Sequence, residues 1–172
     1  GIMPKIKFSL LSIIGGLTLL SSSAYAEVDA EVSYILNTLL FLIGGFLVMW
    51  MAAGFAMLES GLVTSKSVAT IAAKNIGLYS IAGLMFWLVG YNLAYGIPEG
   101  GFIGSFLPWS DASAVDTGYS DGSDWFFQMV FCATTCSIVS GTLAERIKIW
   151  PFFLFCAILA GVIYPIEMGW QW

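Results

Sequence analysis

The chain has 172 residues, of which 59% are hydrophobic and 10% are charged, and its formal net charge is −5. Soluble domains carry about 25% charged residues, so this composition predicts a membrane protein. The negative charge argues against a nucleic-acid partner, because such a partner would require a basic patch. The chain has no histidine, and its three cysteines lie in apolar runs without metal-ligand spacing, so no metal or other cofactor is expected.

Residues 3–26 have the three parts of a secretory signal peptide. Two lysines lie near the start, an apolar core follows, and the closing Ala-Tyr-Ala fits a small-x-small cleavage site. The mature chain, residues 27–172, is therefore expected to begin outside the cytoplasm. An uncleaved additional helix is the alternative.

Four later stretches are each apolar and long enough to cross a bilayer as a helix, which takes about 20 residues. They run from about 34 to 58, 71 to 95, 125 to 144 and 149 to 166. Lys74, near the start of the second stretch, is expected to extend toward the membrane interface. Asn92, near the end of the same stretch, is expected to form an interhelical hydrogen bond, and a place in a vestibule is the alternative. The predicted fold is an all-α, polytopic transmembrane bundle with about four spanning helices in a lipid bilayer.

Charged residues divide the connecting segments into two sets. Lys66 follows the first span, and Arg146 and Lys148 follow the third. The segment 96–123 is expected to be a loop and contains no lysine or arginine. Its acids are expected to form a solvated surface; with the residue that follows the loop, they are Glu99, Asp111, Asp116, Asp121 and Asp124. The positive-inside rule then places the basic turns in the cytoplasm and the mature N-terminus outside, as in a multi-pass protein of the inner (plasma) membrane.

The third span combines aromatic and small residues at helical spacing. Phe127 and Phe131 are four residues apart and therefore share one helical face, with Gln128 between them in sequence. Small residues recur at Ala133, Ser137 and Gly141, a pattern that lets another helix approach closely. This pattern favours an aromatic constriction at one end of the helix and a packing seam at the other. Simple packing of the two rings against lipid or a neighbouring helix is the alternative.

Catalysis is not expected from this sequence. An enzyme site would need histidine, acidic or nucleophilic groups gathered in a cleft. The only acid near the interior of a span is Glu59, at the end of a helix. A transport path needs polar and aromatic side chains along a pore, and the third span supplies them.

Four blocks of the sequence resemble successive parts of the ammonium transporter (Amt/Rh) family. They are Ala53–Val68, Lys74–Gly96, the segment FFQMVFCATTCSIVSGTLAER of the third span, and Tyr164–Trp172. The blocks occur in the family's order and cover most of the chain after its first thirty residues.

The resemblance implies a fold of about eleven spanning helices, of which this chain would be an N-terminal fragment with four. It implies transport of ammonium or ammonia, assembly as a homotrimer, and a PII-type regulatory protein on the cytoplasmic side. The histidines and the buried aspartate of the family's pore would lie beyond the end of this chain. The alternatives are an ammonium-sensing module of a signalling protein, a Rh-like gas channel, and a membrane scaffold without a transport role.

The resemblance also assigns residues to a substrate path. Phe127 and Phe131 match the family's stacked phenylalanine pair, Trp172 matches the tryptophan that recruits ammonium, and Gln128 lies next to the pair at its outer end. Gly169 departs from the family pattern, which usually has histidine there.

Overall fold

The computed structural model describes residues 28–171, and these residues form four long helices. The helices are α1 (Ala30–Leu62), α2 (Val68–Tyr95), α3 (Asp121–Leu143) and α4 (Ile149–Gln171). Each contains an apolar stretch long enough to cross a membrane. The predicted all-α bundle with four spanning helices is confirmed. The signal peptide predicted for residues 3–26 lies outside the described residues.

Helix α3 begins earlier than the sequence predicted. The loop expected to run to residue 123 ends at Ser120, because the backbone N–H groups of Ser123 and Asp124 donate to the Ser120 carbonyl at 3.0 and 3.1 Å. Acidic residues in the first turn suit this start, since the N-terminal end of a helix carries partial positive charge. As a result Asp124, expected on a solvated acidic surface, is only 7% exposed.

Both α2 and α4 are interrupted by one π-helical turn, at Phe86–Gly90 and Leu159–Ile163. Pro165 follows the turn in α4. Because proline has no N–H and its ring clashes with the preceding helical turn, a regular α-helix could not continue through it. The two π turns pack together: a Cβ at Gly90 would lie 3.1 Å from both the Ala160 carbonyl oxygen and a Pro165 ring carbon. A glycine is needed at this contact.

The buried core lies between α2, α3 and α4. It includes Leu78, Phe86, Val130, Cys132, Cys136, Phe152, Cys156 and Ala160. The three cysteines are free thiols, and the Cys132 thiol lies 3.4 Å from the Ala160 carbonyl oxygen. Helix α1 packs against α3 and leaves most of its surface exposed: only 6% of its most apolar 18-residue stretch is buried.

The connecting segments lie at two opposite ends of the bundle. At one end the Thr64 backbone N–H and hydroxyl, after α1, donate to the Glu145 carboxylate, after α3, at 3.1 and 2.6 Å. At the other end the Asn37 amide donates to the Gly118 carbonyl at 2.9 Å, so the start of α1 contacts the segment between α2 and α3. The basic turns and the acidic loop therefore lie at opposite ends of the bundle.

The long segment between α2 and α3 is held by the end of α2. The Asn92 amide donates to the Leu107 and Pro108 carbonyls, each at 2.9 Å. The expected interhelical hydrogen bond of Asn92 was therefore wrong: the residue is close enough to the helix end to tie down the loop instead.

Candidate functional site

One side of α3 is only partly covered by the other helices. Residues three and four apart on a helix share a face, and this side carries Asp124, Gln128, Phe131, Thr135 and Ile138. Asp124, at the start of this side, is buried, Gln128, Phe131 and Thr135 are half-buried and Ile138 is exposed, whereas the opposite side of α3 is buried in the core. We call this set of five residues the open strip of α3.

Phe127 and Phe131 are in contact, with ring centroids 5.2 Å apart and planes at 85°. The rings therefore meet edge to face. Phe127 leans toward α1, where it lies 5.4 Å from the Phe41 ring. A Cβ at Gly44 would come within 2.8 Å of the Phe127 ring, so this glycine makes room for it. Phe131 is thus the ring on the open strip, and Phe127 is the ring anchored on α1.

Phe126 provides a comparison for Phe127 because it also packs against α1. Its ring lies 5.5 Å from that of Phe46, and a Cβ at Gly45 would come within 2.6 Å of it. Phe126 does not pair with Phe131 in the way that Phe127 does. Gly44 and Gly45 therefore make room for the Phe127 and Phe126 rings, respectively. Of these two rings, Phe127 is the one that also contacts Phe131 on the open strip.

Gln128 is held by a carboxylate one helical turn earlier. Its Nε2 donates to Asp124 Oδ1 at 3.2 Å, and the Tyr91 hydroxyl of α2 donates to Asp124 Oδ2 at 2.6 Å. Sequence reasoning missed both Asp124 and Tyr91 as site residues. The available signal was the four-residue spacing from Asp124 to Gln128, which fits a hydrogen-bonded pair within one helix.

Aromatic rings surround this end of α3. Tyr91 lies 4.9 Å from Tyr95 and 6.5 Å from Trp109, and Trp109 lies 5.6 Å from Trp125. Within residues 28–171, no group of three or more histidine, cysteine, aspartate or glutamate side chains could hold a metal ion. What the site offers a ligand is ring faces and the Gln128 amide, a combination suited to a small cation, while the Asp124 carboxylate is engaged by Gln128 and Tyr91.

The end of α4 is fitted closely to α2. A Cβ at Gly169 would lie 2.7 Å from the Ala94 carbonyl oxygen, so this contact leaves no room for a histidine. The Trp170 indole N–H donates to the Phe102 carbonyl at 2.7 Å and is therefore engaged with the loop. Trp172, assigned to the substrate path by resemblance, lies outside the described part of the chain.

A buried polar cluster occupies the opposite end of the bundle, formed by Glu59, Lys74, Asn75 and Ser140. The expectation that Lys74 extends toward the interface was wrong: its Nζ lies 2.5 Å from Glu59 Oε1, and its side chain is 5% exposed. The Asn75 amide donates to Glu59 at 3.0 Å, and the Ser140 hydroxyl lies within 2.9 Å of both Glu59 oxygens. Glu59 attracts the lysine inward because a buried carboxylate needs a partner.

The sequence matches the family model described as Ammonium Transporter Family over residues 39–172. It is 41% identical over 136 residues to ammonium transporter Amt2 of Archaeoglobus fulgidus, covering 76% of this chain and 28% of that protein. It is 31% identical over 154 residues to ammonium transporter 3 of Dictyostelium discoideum, covering 88% of this chain and 35% of that protein. A solved structure titled Sensor Amt Protein is also similar, with a TM-score of 0.71 and 31% identity over 79% of this chain.

This chain is short beside its relatives. It covers 28% and 35% of the two transporters and 34% of the sensor chain. The family match, by contrast, takes in most of the sequence, from residue 39 in the first third of α1 to residue 172. The chain therefore belongs to the ammonium transporter family.

Proposed function

We propose that this chain supplies four helices of a membrane protein that transports ammonium or ammonia. The observation that carries the proposal is the open strip of α3, where Phe131 pairs edge to face with Phe127 at 5.2 Å and Gln128 lies beside them. The names of the similar proteins from Archaeoglobus fulgidus and Dictyostelium discoideum support the substrate. The remaining walls of the path would come from helices that this chain does not contain.

The chemistry of the strip fits a small cation that sheds its proton. A ring face attracts a cation by about 0.5–2 kcal/mol, so aromatic groups at the mouth can concentrate ammonium. An apolar passage strongly disfavours an ion that stays charged. Phe131 is half-buried between the polar end and the apolar middle of α3, and it would lie where the change from one environment to the other occurs. Together with Trp172, these residues would form the outer part of the path.

The arrangement of charge supports a topology for the proposed transporter. The basic end with Lys66, Arg146 and Lys148 would face the cytoplasm, and the acidic loop would lie outside, in the inner (plasma) membrane. A homotrimer and a PII-type regulator at the basic end belong to the same proposal. The exposed apolar surface of α1 is consistent with further helices or other copies packing there.

The test is uptake by the full-length protein in cells that lack their own ammonium transport. We expect uptake of ¹⁵N-ammonium and ¹⁴C-methylammonium above the level of cells carrying an empty vector. Protein in the membrane should be quantified, and its folding checked by chromatography in mild detergent. Folded protein in the membrane without uptake would contradict the transport function.

A sensor is the second candidate, because the similar solved structure is titled as one. A sensing module would bind ammonium without carrying it across. Ligand binding to purified full-length protein, for example by calorimetry, combined with no uptake in the same cells, would favour this candidate over the transporter.

A further inference from the structure

Asp124 is a buried carboxylate whose two oxygens are both engaged. Tyr91 on α2 donates to Oδ2 at 2.6 Å, and Gln128, one turn further along α3, donates to Oδ1 at 3.2 Å. The side chain is 7% exposed. Tyr91 therefore fixes the carboxylate from the neighbouring helix, and the carboxylate fixes the glutamine.

The hydrogen-bonding capacity of a carboxylate decides how Gln128 is oriented. An ionised aspartate only accepts hydrogen bonds, whereas a glutamine amide has one donating and one accepting end. The NH₂ end must therefore face Asp124, and the carbonyl oxygen Oε1 must face away from it. In residues 28–171 no group donates to this oxygen, so Oε1 remains a free acceptor beside the phenylalanine pair.

We propose that Asp124 is a positioning residue for the substrate path: it holds the Gln128 amide so that Oε1 accepts a hydrogen bond from ammonium. This inference rests on the proposed transport function. Ammonium has four N–H donors and no acceptor, so only the carbonyl end of an amide can recognise it. If the amide turned over, it would present its own NH₂ group, which cannot accept from the ion.

The effect should appear in the concentration needed for half-maximal uptake. Asp124→Asn can both donate and accept, so it no longer dictates the orientation of the glutamine. We expect it to raise the half-saturating concentration of ammonium by about three- to tenfold, as the loss of one hydrogen bond predicts, with little change in the maximal rate per folded protein. Gln128→Ala should show a similar rise.

The decisive measurement is the double variant Asp124→Asn/Gln128→Ala in the full-length protein. If Asp124 acts through Gln128, the double variant should be no worse than Gln128→Ala alone. Effects that multiply would overturn the proposal, because Asp124 would then act by its charge or by supporting the fold. Asp116→Asn, at an exposed position of the acidic loop, is the charge-matched control and should leave the half-saturating concentration unchanged.

Tyr91→Phe provides a second test in case Asp124→Asn does not fold. Removing the hydroxyl leaves the Asp124 carboxylate without its anchor on α2, so the carboxylate holds the Gln128 amide less firmly, and we expect a rise of about two- to threefold in the half-saturating concentration. No rise in folded Tyr91→Phe protein would also overturn the proposal. Failure of the unmodified protein to transport would instead reject the function itself, which keeps the two failures distinct.

Discussion

The Lys74 ammonium group lies 2.5 Å from Glu59, and the two side chains are 5% and 4% exposed. The pair connects all four helices: Glu59 lies on α1, Lys74 on α2, the Ser140 hydroxyl of α3 contacts Glu59 at 2.8 Å, and the Phe152 ring of α4 lies 5.0 Å from Nζ. Removing one member of a buried ion pair leaves an uncompensated charge and typically costs about 3–5 kcal/mol. The buried polar cluster should therefore be critical for helix assembly.

We expect Lys74→Met to lower the free energy of unfolding by about 3–5 kcal/mol, because Glu59 would stay buried without its partner. Unfolding of the full-length protein in mild detergent measures this change. Lys66→Met is the matched control, since Lys66 is exposed and surface changes usually stay within about 0.5 kcal/mol.

The same cluster allows a compensation test. Glu59→Gln combined with Lys74→Met removes both charges, so it should be more stable than Lys74→Met alone. A Lys74→Met protein as stable as Lys66→Met would show that the buried pair does not hold the bundle together.

The glycines of α1 predict that substitutions at two adjacent positions differ in their effect on uptake. A Cβ at Gly44 would lie 2.8 Å from Phe127, and one at Gly45 would lie 2.6 Å from Phe126. Overpacking of this kind costs about 1–3 kcal/mol, so both Gly→Ala variants should be less stable. Only Gly44→Ala should also reduce uptake per folded protein, because only Phe127 pairs with Phe131. Gly54→Ala is the control, as no atom lies within 4 Å of its added Cβ. Equal uptake in the Gly44 and Gly45 variants would contradict the role given to Phe127.

Hydropathy was sufficient to predict the four spans, because each is a continuous apolar run longer than a bilayer requires. The contact between Phe127 and Phe131 was also predictable, since four-residue spacing is a local property of a helix. The position of Lys74 was not, because its partners come from helices that only the fold brings together. The Ser140 carbonyl, for example, accepts from Lys74 Nζ at 3.2 Å and is 66 residues away. Likewise, burial of Asp124 depends on where α3 starts, and helix boundaries are weakly encoded in sequence.

Glu145 predicts a pH dependence at the basic end. Hydrogen bonds from Thr64 and then Ser67 hold the pKa of this exposed carboxyl below its usual value of 4.5. Because the folded pKa is the lower one, the stabilisation is fully present above about the unfolded value and is lost as pH falls through the folded value. Glu145→Gln should therefore lower the melting temperature at pH 7 but not at pH 3, measured in detergent. An equal difference at both pH values would contradict a role for the charged form.

The topology can be tested with an introduced cysteine. The native cysteines of the described helices are buried, so their reaction with a thiol reagent should be slow. Ser113 is a poor labelling position because its hydroxyl contacts Asp111 and Asp121, whereas Asp116 is exposed. Asp116→Cys should react with an impermeant reagent in intact cells, and Lys66→Cys only after permeabilisation. The reverse pattern would invert the proposed orientation.

The role of the phenylalanine pair is the most direct test of the substrate path. Phe131 is half-buried on the open strip, whereas Phe126 is packed against Gly45 and Phe46. We expect Phe131→Ala to reduce methylammonium uptake at least tenfold per folded protein, while expression and assembly persist. Phe126→Ala should lower stability, with a typical cost of about 3–5 kcal/mol for a fully buried ring and less for a partly exposed one, but should leave uptake per folded protein nearly unchanged.

Uptake per folded protein in Phe127→Ala should fall between the values for these two variants, because the Phe127 ring both packs on α1 and contacts Phe131. Uptake divided by the amount of folded protein separates a role in the path from a role in packing. If the rings served packing alone, uptake in all three variants would follow protein level. Unchanged uptake per folded protein in both Phe127→Ala and Phe131→Ala would remove the aromatic pair from the substrate path and leave both rings as packing between α3 and its neighbours.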